Sequence, residues 1–548
     1  MLSLTKKRWI FPENNMDTLD VSAFVLSLQI RRKLQAVNDA VHSEPSAYTD
    51  MPIAIERIHK AMLNRETIGI FGDYDCDGIT AVAQLVRFFR RRGVEPFIRL
   101  PHREHDGYGL HGGIVKECRE AGVTLLITAD TGITAINEID ALQAQGIDVI
   151  ITDHHTVHDT LPKAFALIHP AHSTHPLPYP SGSGVAFSLV QGLEGGNWEG
   201  RNEDIALAMI GTVADLVELK GANRALTIAG LSALNDIQSG PLHTLRTQCC
   251  GTGTVSSSDV AFRIAPRINA TGRIAEPDIA LHALLDGGQN ITQMGLLNEE
   301  RKNLTLRFVD AAVESFTQRP LPEMLCRVSP KYPQGIVGLI AGRLTEQFGR
   351  PSLVAYSDGE LCTASLRSPA CYNIADGLKR CAHLLTRFGG HAQAAGCTFS
   401  LHNSDALFAA LLEDVRAHTT EDQLHPTINI DAKISPQHVS IDLCTQLRAL
   451  EPFGQGNTEP IFLLDNVRLQ NIRACGAEKT HLQCRIDGIQ CIGFNLAHFA
   501  SEGENFDVLV RVTLNEWQGK KSPQMVIVDM KKVESTETEN GKWKVEKD

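Results

Sequence analysis

The chain has 548 residues, too many for a single core at roughly 100–200 residues per domain, so about three domains are expected. Hydrophobic residues at 43% and charged residues at 21% lie near the globular average, which excludes a mainly disordered, collagenous or fibrous chain. A formal charge of −12 excludes a polycation that grips nucleic acid by bulk charge, so any phosphate-binding surface must be local.

The first residues, MLSLTKKRWIFPENN, are charged and lack the apolar core of a signal peptide, and no later run approaches a membrane span. The 13 cysteines form no CxxC pair, and this scatter suits a reducing compartment. The expectation is a cytoplasmic protein with no membrane segment. Residues 66–220 alternate apolar runs with helix-period stretches, the pattern of βαβ units and a mainly parallel sheet. The runs are TIGIF (67–71), PFIRL (96–100), TLLIT (124–128) and DVIIT (148–152). Between the first two, Ile79, Val82, Leu85, Val86 and Phe89 recur at helical spacing before RRRG closes the element, its cations at the negative end of the helix dipole. Residues 290–318 predict a long polar-faced helix that connects two lobes, ended by Pro320 and Pro322.

A second α/β stretch runs from about 325 to 418, with GIVGLIAGRL, PSLVAY and the glycine-rich FGGHAQAAG. From about 427 the texture changes to short alternating strands with one helical patch, QLRAL. This predicts a small closed β-barrel, for which the oligonucleotide-binding (OB) fold is one candidate. The tail after Val533 is polar and reads as disordered.

Acidic clusters follow the predicted strands or sit on a following helix: FGDYDCDG, TADTG, TDHH and GTVADL. Loops at the carboxyl ends of a parallel sheet converge on one crevice, so Asp73, Asp75, Asp77, Asp130, Asp153, His154, His155 and Asp215 are expected to meet. One such aspartate alone would be a turn or cap residue. Several together repel unless cations neutralise them, which points to bound metal, and oxygen ligands with an imidazole suit Mn²⁺ or Mg²⁺. An EF-hand is disfavoured: the glutamate it needs falls on Gln84, and the loop follows a strand.

The set GDYDCDG (72–78), ADTG (129–132), DHH (153–155) and GTVADLVEL (211–219) resembles the motifs of the DHH phosphoesterase superfamily. With PHREHDGYGL (101–110), PRINATGR (266–273), SLRS (365–368), FGGHAQAAG (388–396) and LEPFGQGN (450–457), it is similar to the RecJ family of bacterial single-stranded-DNA-specific exonucleases, over about residues 48–535. The resemblance implies an N-terminal segment (1–50), a DHH catalytic domain with a parallel sheet (51–240), a helical connector (241–318), an α/β DHHA1 domain (319–418), an OB-fold barrel (425–535) and a polar tail (536–548). It also implies Asp75, Asp77, Asp130, His154 and Asp215 as ligands of two Mn²⁺ or Mg²⁺ ions, with Asp73 and His155 in the same catalytic motifs and Asp130 as the expected bridge. Two metals can activate a water and stabilise a leaving oxygen in an in-line attack on phosphorus.

For the strand, the same motifs imply Arg103, Arg267, Asn269, Arg273, Ser365 and Arg367 as phosphate contacts, Gly389, Gly390 and His391 as a close backbone approach, and Tyr108 as a base-stacking group. One departure stands in the first of these: the family's Pro-Asn-Arg is Pro101-His102-Arg103 here. The implied activity is 5′ to 3′ exonuclease action on single-stranded DNA in repair and recombination, releasing mononucleotides, with single-strand-binding protein and a helicase as partners. The competing readings are a DHH phosphodiesterase for short oligonucleotides or cyclic dinucleotides, or a pyrophosphatase, which leaves the C-terminal strands without a purpose, and a non-catalytic nucleic-acid-binding scaffold, which leaves the intact acidic set without one.

Overall fold

A computed structural model of the protein describes residues 2–11, 21–34, 45–107, 109–196, 201–317, 321–501, 503–517 and 520–533. The apolar runs of the first α/β stretch form a five-stranded, wholly parallel sheet in the order Phe97–Arg99, Thr67–Gly72, Val123–Ala129, Asp148–Thr152, Ala166–Ile168. The last strand was not foreseen. It is three residues long, too short for a periodicity to show. Strand order reverses between Thr67–Gly72 and Val123–Ala129, and a crevice outside the carboxyl ends at such a switch point is where ligands bind in open α/β sheets.

The helix Cys76–Arg91 buries the foreseen Ile79, Val82, Leu85, Val86 and Phe89, and its whole first two turns as well. It is enclosed because Gly182–Leu193 and Asn202–Ala214 pack against it. Gln84, polar and fully buried there, is accommodated by donating to Ser183 Oγ (2.8 Å) and to the carbonyls of Thr80 and Ser183. The arginines that end the helix are ion-paired, Arg90 with Glu95 and Asp286, Arg91 with Asp204.

The long helix that ends the connector, Gln289–Thr317, has 29 residues and is about 44 Å long at 1.5 Å per residue. Ile291 and Met294 near its start belong to the first domain's core, while Ala312 and Phe316 near its end belong to that of the second. It is therefore a spacer embedded at both ends. The second sheet runs Arg387–His391, Ala394–Ser400, Leu361–Arg367, Ser352–Ser357, Leu325–Ser329, antiparallel except for its last pair.

The C-terminal strands form a seven-stranded OB-like sheet, bent by register shifts at Leu464/Val467, Gln470/Arg473 and Leu509/Val510. Short strands were expected, yet two of them, Asn505–Trp517 and Lys520–Lys532, have 13 residues each. Their outer ends are polar, so the apolar alternation marks only the middle of each. The expected tail, 536–548, lies outside the described residues.

The N-terminal segment packs on this domain through a separate two-stranded sheet. Arg8–Ile10 pairs in parallel with Thr427–Asn429, and Trp9 Nε1 donates to Asp529 at 2.8 Å. Helix Val21–Arg31 then buries Phe24, Val25 and Leu28 in the C-terminal core, with the Phe24 ring 5.4 Å from that of Phe462. Phe24→Ala should destabilise the C-terminal domain by about 3–5 kcal/mol, the range for truncating a fully buried Phe. The midpoint of chemical denaturation, followed by hydrogen exchange of that sheet's amides, checks this; an unchanged midpoint would mean that the segment adds nothing to the core.

Candidate metal centre and phosphate pocket

Strand register assembles the centre. Gly72 pairs with Ala129 and Ala129 with Thr152, so the next residues along the chain, Asp73, Asp130 and Asp153, leave three adjacent strand ends side by side. Asp73 Oδ1 takes the Tyr74 N–H at 2.7 Å. Asp75 caps the next helix, accepting from the amides of Asp77 (3.0 Å) and Gly78 (3.1 Å). Asp77, one turn on, receives the amides of Gly182 (2.7 Å) and Ser183 (3.0 Å) at the start of Gly182–Leu193, where the helix dipole favours an anion. Asp215 ends the helix Asn202–Ala214 and completes the ring.

His154 Nε2 stands 3.1 Å from Asp130 Oδ1, 3.7 Å from Asp215 Oδ2 and 3.8 Å from Asp77 Oδ2. Three sets of side chains offer ligand atoms all within 4.8 Å of one another: Asp77, His154 and Asp215; Asp73, Asp75 and Asp130; and Asp130, His154 and His155. Asp130 and His154 each belong to two of them.

The electrostatics fit a cation. Burial first, and the neighbouring carboxylates next, push the pKa values of Asp73, Asp77, Asp130 and Asp215 upward, because anions crowded away from water repel one another. Asp130 Oδ1 and His154 Nε2 are buried with no hydrogen-bond partner, an arrangement that a shared cation satisfies. Burial, with the charge of His155 next, lowers His154 to about 3 and keeps it neutral, the form able to coordinate a metal. Asp153 acts from behind. It accepts from Ile133 N–H (2.9 Å), His154 N–H (2.7 Å) and His155 Nδ1 (2.7 Å). Against the pull of burial, that pairing lifts His155 to about 9 and holds Asp153 at about 2. Carboxylates and neutral imidazole make a donor set for Mn²⁺ or Mg²⁺.

Close packing sets the shape. A Cβ on Gly182 would overlap Asp130 Oδ1, and one on Gly211 would lie 2.5 Å from Asp77 Oδ1. No larger residue fits at either place.

Beside the centre lies a group of cations. The Arg103 guanidinium stacks on Tyr74, 4.3 Å from the ring centre, and its charge reaches Asp73 on one side and Arg273 and Arg367 on the other. Burial, then the charge of Arg103, lowers both Arg273, to about 9, and Arg367. Arg301, on the long connector, also bears on Arg273. Among the described residues none of these four forms an ion pair. Arg273 donates to Gly335 O (3.4 Å), Arg301 to Asn298 (2.9 Å), and Arg367 to Ser365 Oγ (3.0 Å) and Leu366 O (2.8 Å). Half-buried cations without carboxylates form a receptor for an anion.

In the second sheet, Ser365 pairs with Gly396 and Gly396 with Gly389, while Arg367 pairs with Ala394 and Ala394 with His391. Two cross-strand rows thus hold the SLRS and GGH motifs on one face. The strand Arg387–His391 is exposed along its length, and the charge of His391 reaches His154, so the glycine pair borders the cleft.

Asn269 and Arg267, two further foreseen contacts, have partners within the protein. Asn269 Oδ1 accepts the Cys76 N–H at 2.9 Å and so holds the first turn of the metal-bearing helix. Arg267 donates to the Arg263 carbonyl (2.6 Å). Tyr108 lies outside the described residues. Sequence reasoning missed Gly182, Ser183 and Arg301. The first two sit in SGSG, a helix-start pattern that could have been found, whereas Arg301 in NEERKN reads as an ordinary solvent-facing charge.

Acidic strand ends at the switch point of a parallel sheet, beside a group of arginines contributed by the first domain, the helices that follow it and the second sheet, define a DHH-type metal-dependent phosphoesterase. Residues 67–217 match the family model "DHH family, N-terminal domain", 322–417 the "DHHA1 domain" and 430–529 the "RecJ OB domain". The single-stranded-DNA-specific exonuclease RecJ of Bacillus subtilis is 31% identical over 559 residues, covering 96% of this chain and 71% of its own. RecJ of Thermus thermophilus is 34% identical over 493 residues, covering 88% and 71%. The crystal structure of the Thermus thermophilus protein in complex with Mn²⁺ aligns with a TM-score of 0.81 at 27% identity, covering 96% of this chain and 80% of that one. The chain belongs to the RecJ family of single-stranded-DNA-specific exonucleases.

The packing and charge of the centre predict two outcomes. Gly182→Ala should cut metal-dependent activity about 10- to 100-fold, as for a lost outer-shell partner, with unchanged circular dichroism; full activity would show that Asp130 tolerates displacement. Asp130→Asn removes one of the crowded charges, so in a chelator it should melt at a higher temperature than the unaltered protein and lose much of the stabilisation by added Mn²⁺. Equal melting temperatures in chelator would contradict the repulsion.

Proposed function

We propose that the protein is a metal-dependent exonuclease that takes single-stranded DNA by its 5′ end and releases mononucleotides. The observation that carries this reading is the adjacency of the carboxylate–imidazole centre and the uncompensated arginines, with Arg103 stacked on Tyr74 and its charge reaching Asp73. Asp75, Asp77, Asp130, His154 and Asp215 would hold two divalent ions, Mn²⁺ or Mg²⁺, with Asp130 between them and Asp73 and His155 flanking. Ions bound there would supply an activated water and neutralise charge on the phosphate being cleaved.

The chain's own residues fix the geometry. Asp153 holds His155 and the amide of His154, so the imidazole set is oriented before substrate arrives. Arg103, Arg273, Arg301 and Arg367, with Ser365, would take the terminal 5′-phosphate by charge-assisted hydrogen bonds. A strand anchored there can place only its first linkages over the metal centre, which favours exonuclease over endonuclease action. Gly389 and Gly390 let the backbone approach the phosphodiester, and His391 can donate to it. Tyr108 and Arg267 would serve the strand further along, and Asn269 acts by holding Cys76. The C-terminal sheet would bind the strand behind the cleft.

A cytoplasmic setting suits the 13 unpaired thiols; among the described residues no helix is long and apolar enough to cross a membrane. Single-strand-binding protein and a helicase are the partners this reading carries, as the agents that present and generate single strands.

The test is a single-stranded oligonucleotide labelled at either end, with a 5′-phosphate or a 5′-hydroxyl, in Mn²⁺. The protein should release labelled mononucleotides from the 5′ end and prefer the phosphorylated strand. Arg367→Ala should erase about 10- to 100-fold of that preference, the worth of one hydrogen bond to a charged group at about 1.5–3 kcal/mol. Release from the 3′ end, or an unchanged preference, would contradict the proposal.

A further inference from the structure

Asp215 differs from the other acidic members of the centre in the path the chain takes beyond it. Its amide closes the helix by donating to Gly211 O at 2.9 Å. The chain then turns away through Leu216, which has a left-handed φ of 62° and is 66% exposed. A leucine in that region costs about 1–2 kcal/mol and gains nothing from burial here, so the turn must be held from its far side. The next ties belong to another domain.

They come from the loop that spans Leu450 to Asn457. The Leu219 N–H donates to Gln455 O at 2.9 Å. Leu219 is buried against Gly454, where a Cβ would stand 2.6 Å from Leu219 Cδ1. Gly456, at φ 73°, backs onto Glu218 and Lys220. In the following helix, the buried Arg224 guanidinium donates to three carbonyls of the same loop, Leu450 (3.0 Å), Glu451 (2.6 Å) and Pro452 (3.4 Å). Ser257 Oγ donates to Phe453 O at 2.7 Å. From the other side, Asn457 donates to Leu450 O (2.7 Å) and Pro452 O (2.9 Å) and accepts from Arg32, just past the N-terminal helix (3.0 Å). Almost every carbonyl of the loop is engaged. A tether between independent modules would leave its backbone to water; this one is a built joint.

We propose that the loop Leu450–Asn457 is a positioning element for Asp215: through Leu219 and Arg224 the C-terminal domain sets where that carboxylate stands relative to Asp77 and His154. This rests on Asp215 being a metal ligand. It gives the C-terminal domain a part in assembling the metal centre, distinct from any contact with the strand. Gly454 and Arg224 are positioning residues, since neither approaches the centre itself.

The experiment uses the full chain carrying Gly454→Ala, Gly456→Ala or Arg224→Lys, with Asp215→Asn as reference. Mn²⁺ affinity is measured by calorimetry without DNA, single-strand affinity in chelator, and kcat against Mn²⁺ concentration. The joint variants should bind Mn²⁺ about tenfold more weakly, within the range for outer-shell changes, recover kcat at high Mn²⁺, and keep their single-strand affinity. Unchanged Mn²⁺ affinity in these variants, while Asp215→Asn weakens it, would overturn the joint proposal. Unchanged affinity in Asp215→Asn would overturn the ligand assignment instead. If Gly454→Ala fails to fold, the milder Gly456→Ala and Arg224→Lys carry the same comparison, and loss of single-strand binding alone would contradict the proposal.

Discussion

Mutual repulsion among buried carboxylates is the constraint on which the rest of this molecule depends. Asp73, Asp77 and Asp130 are buried and Asp215 is partly so, and neighbouring carboxylates, Asp75 and Asp77 foremost, add to burial in raising the cost of ionising them. No protein would gather them without a compensating charge. The local devices answer that need only in part: Asp77 has the amides of a helix start, Asp75 caps its own helix, and Asp153 is neutralised by His155. Asp130 Oδ1 and His154 Nε2 are left facing each other without partners. That residue of unsatisfied charge is the metal centre.

The arginines beside the centre are kept apart from this charge. Arg103 stacks on Tyr74 instead of pairing with Asp73, and the arginines beyond it bond mainly to backbone carbonyls and to neutral side chains. Had they collapsed onto the carboxylates, both sites would be lost. The long connector prevents this by geometry: it is buried in one core at its start and in another at its end, and it fixes the spacing between the acidic crevice and the second sheet. A net charge of −12 therefore says little about the partner, because the field the strand meets is set by a few arginines and by bound ions.

Much of this was legible in the sequence, for local reasons. The strands TIGIF, TLLIT and DVIIT are apolar runs ended by aspartates, and a parallel sheet gathers its carboxyl ends into one crevice, so Asp73, Asp130 and His154 meet without any need to know the loops. Residues that act through tertiary contacts were not legible. Gly182 matters because its amide and its missing side chain fit between Asp77 and Asp130, which lie far away in the chain. Arg301 lies in a charge-rich helix turn that looks solvated until the second domain covers it. Asn269, expected from its motif to contact the strand, also has a structural part that its sequence did not show, since its oxygen takes the Cys76 amide. The N-terminal strand pairs with Thr427–Asn429, and three residues bear no mark of a partner more than four hundred positions away.

The most direct test of the metal centre is anomalous diffraction from crystals of the full chain equilibrated with Mn²⁺. Two peaks are predicted in the crevice, one among Asp77, His154 and Asp215 and one among Asp73, Asp75 and Asp130, with Asp130 between them. No peak in the crevice, or Mn²⁺ bound only elsewhere, would contradict the account.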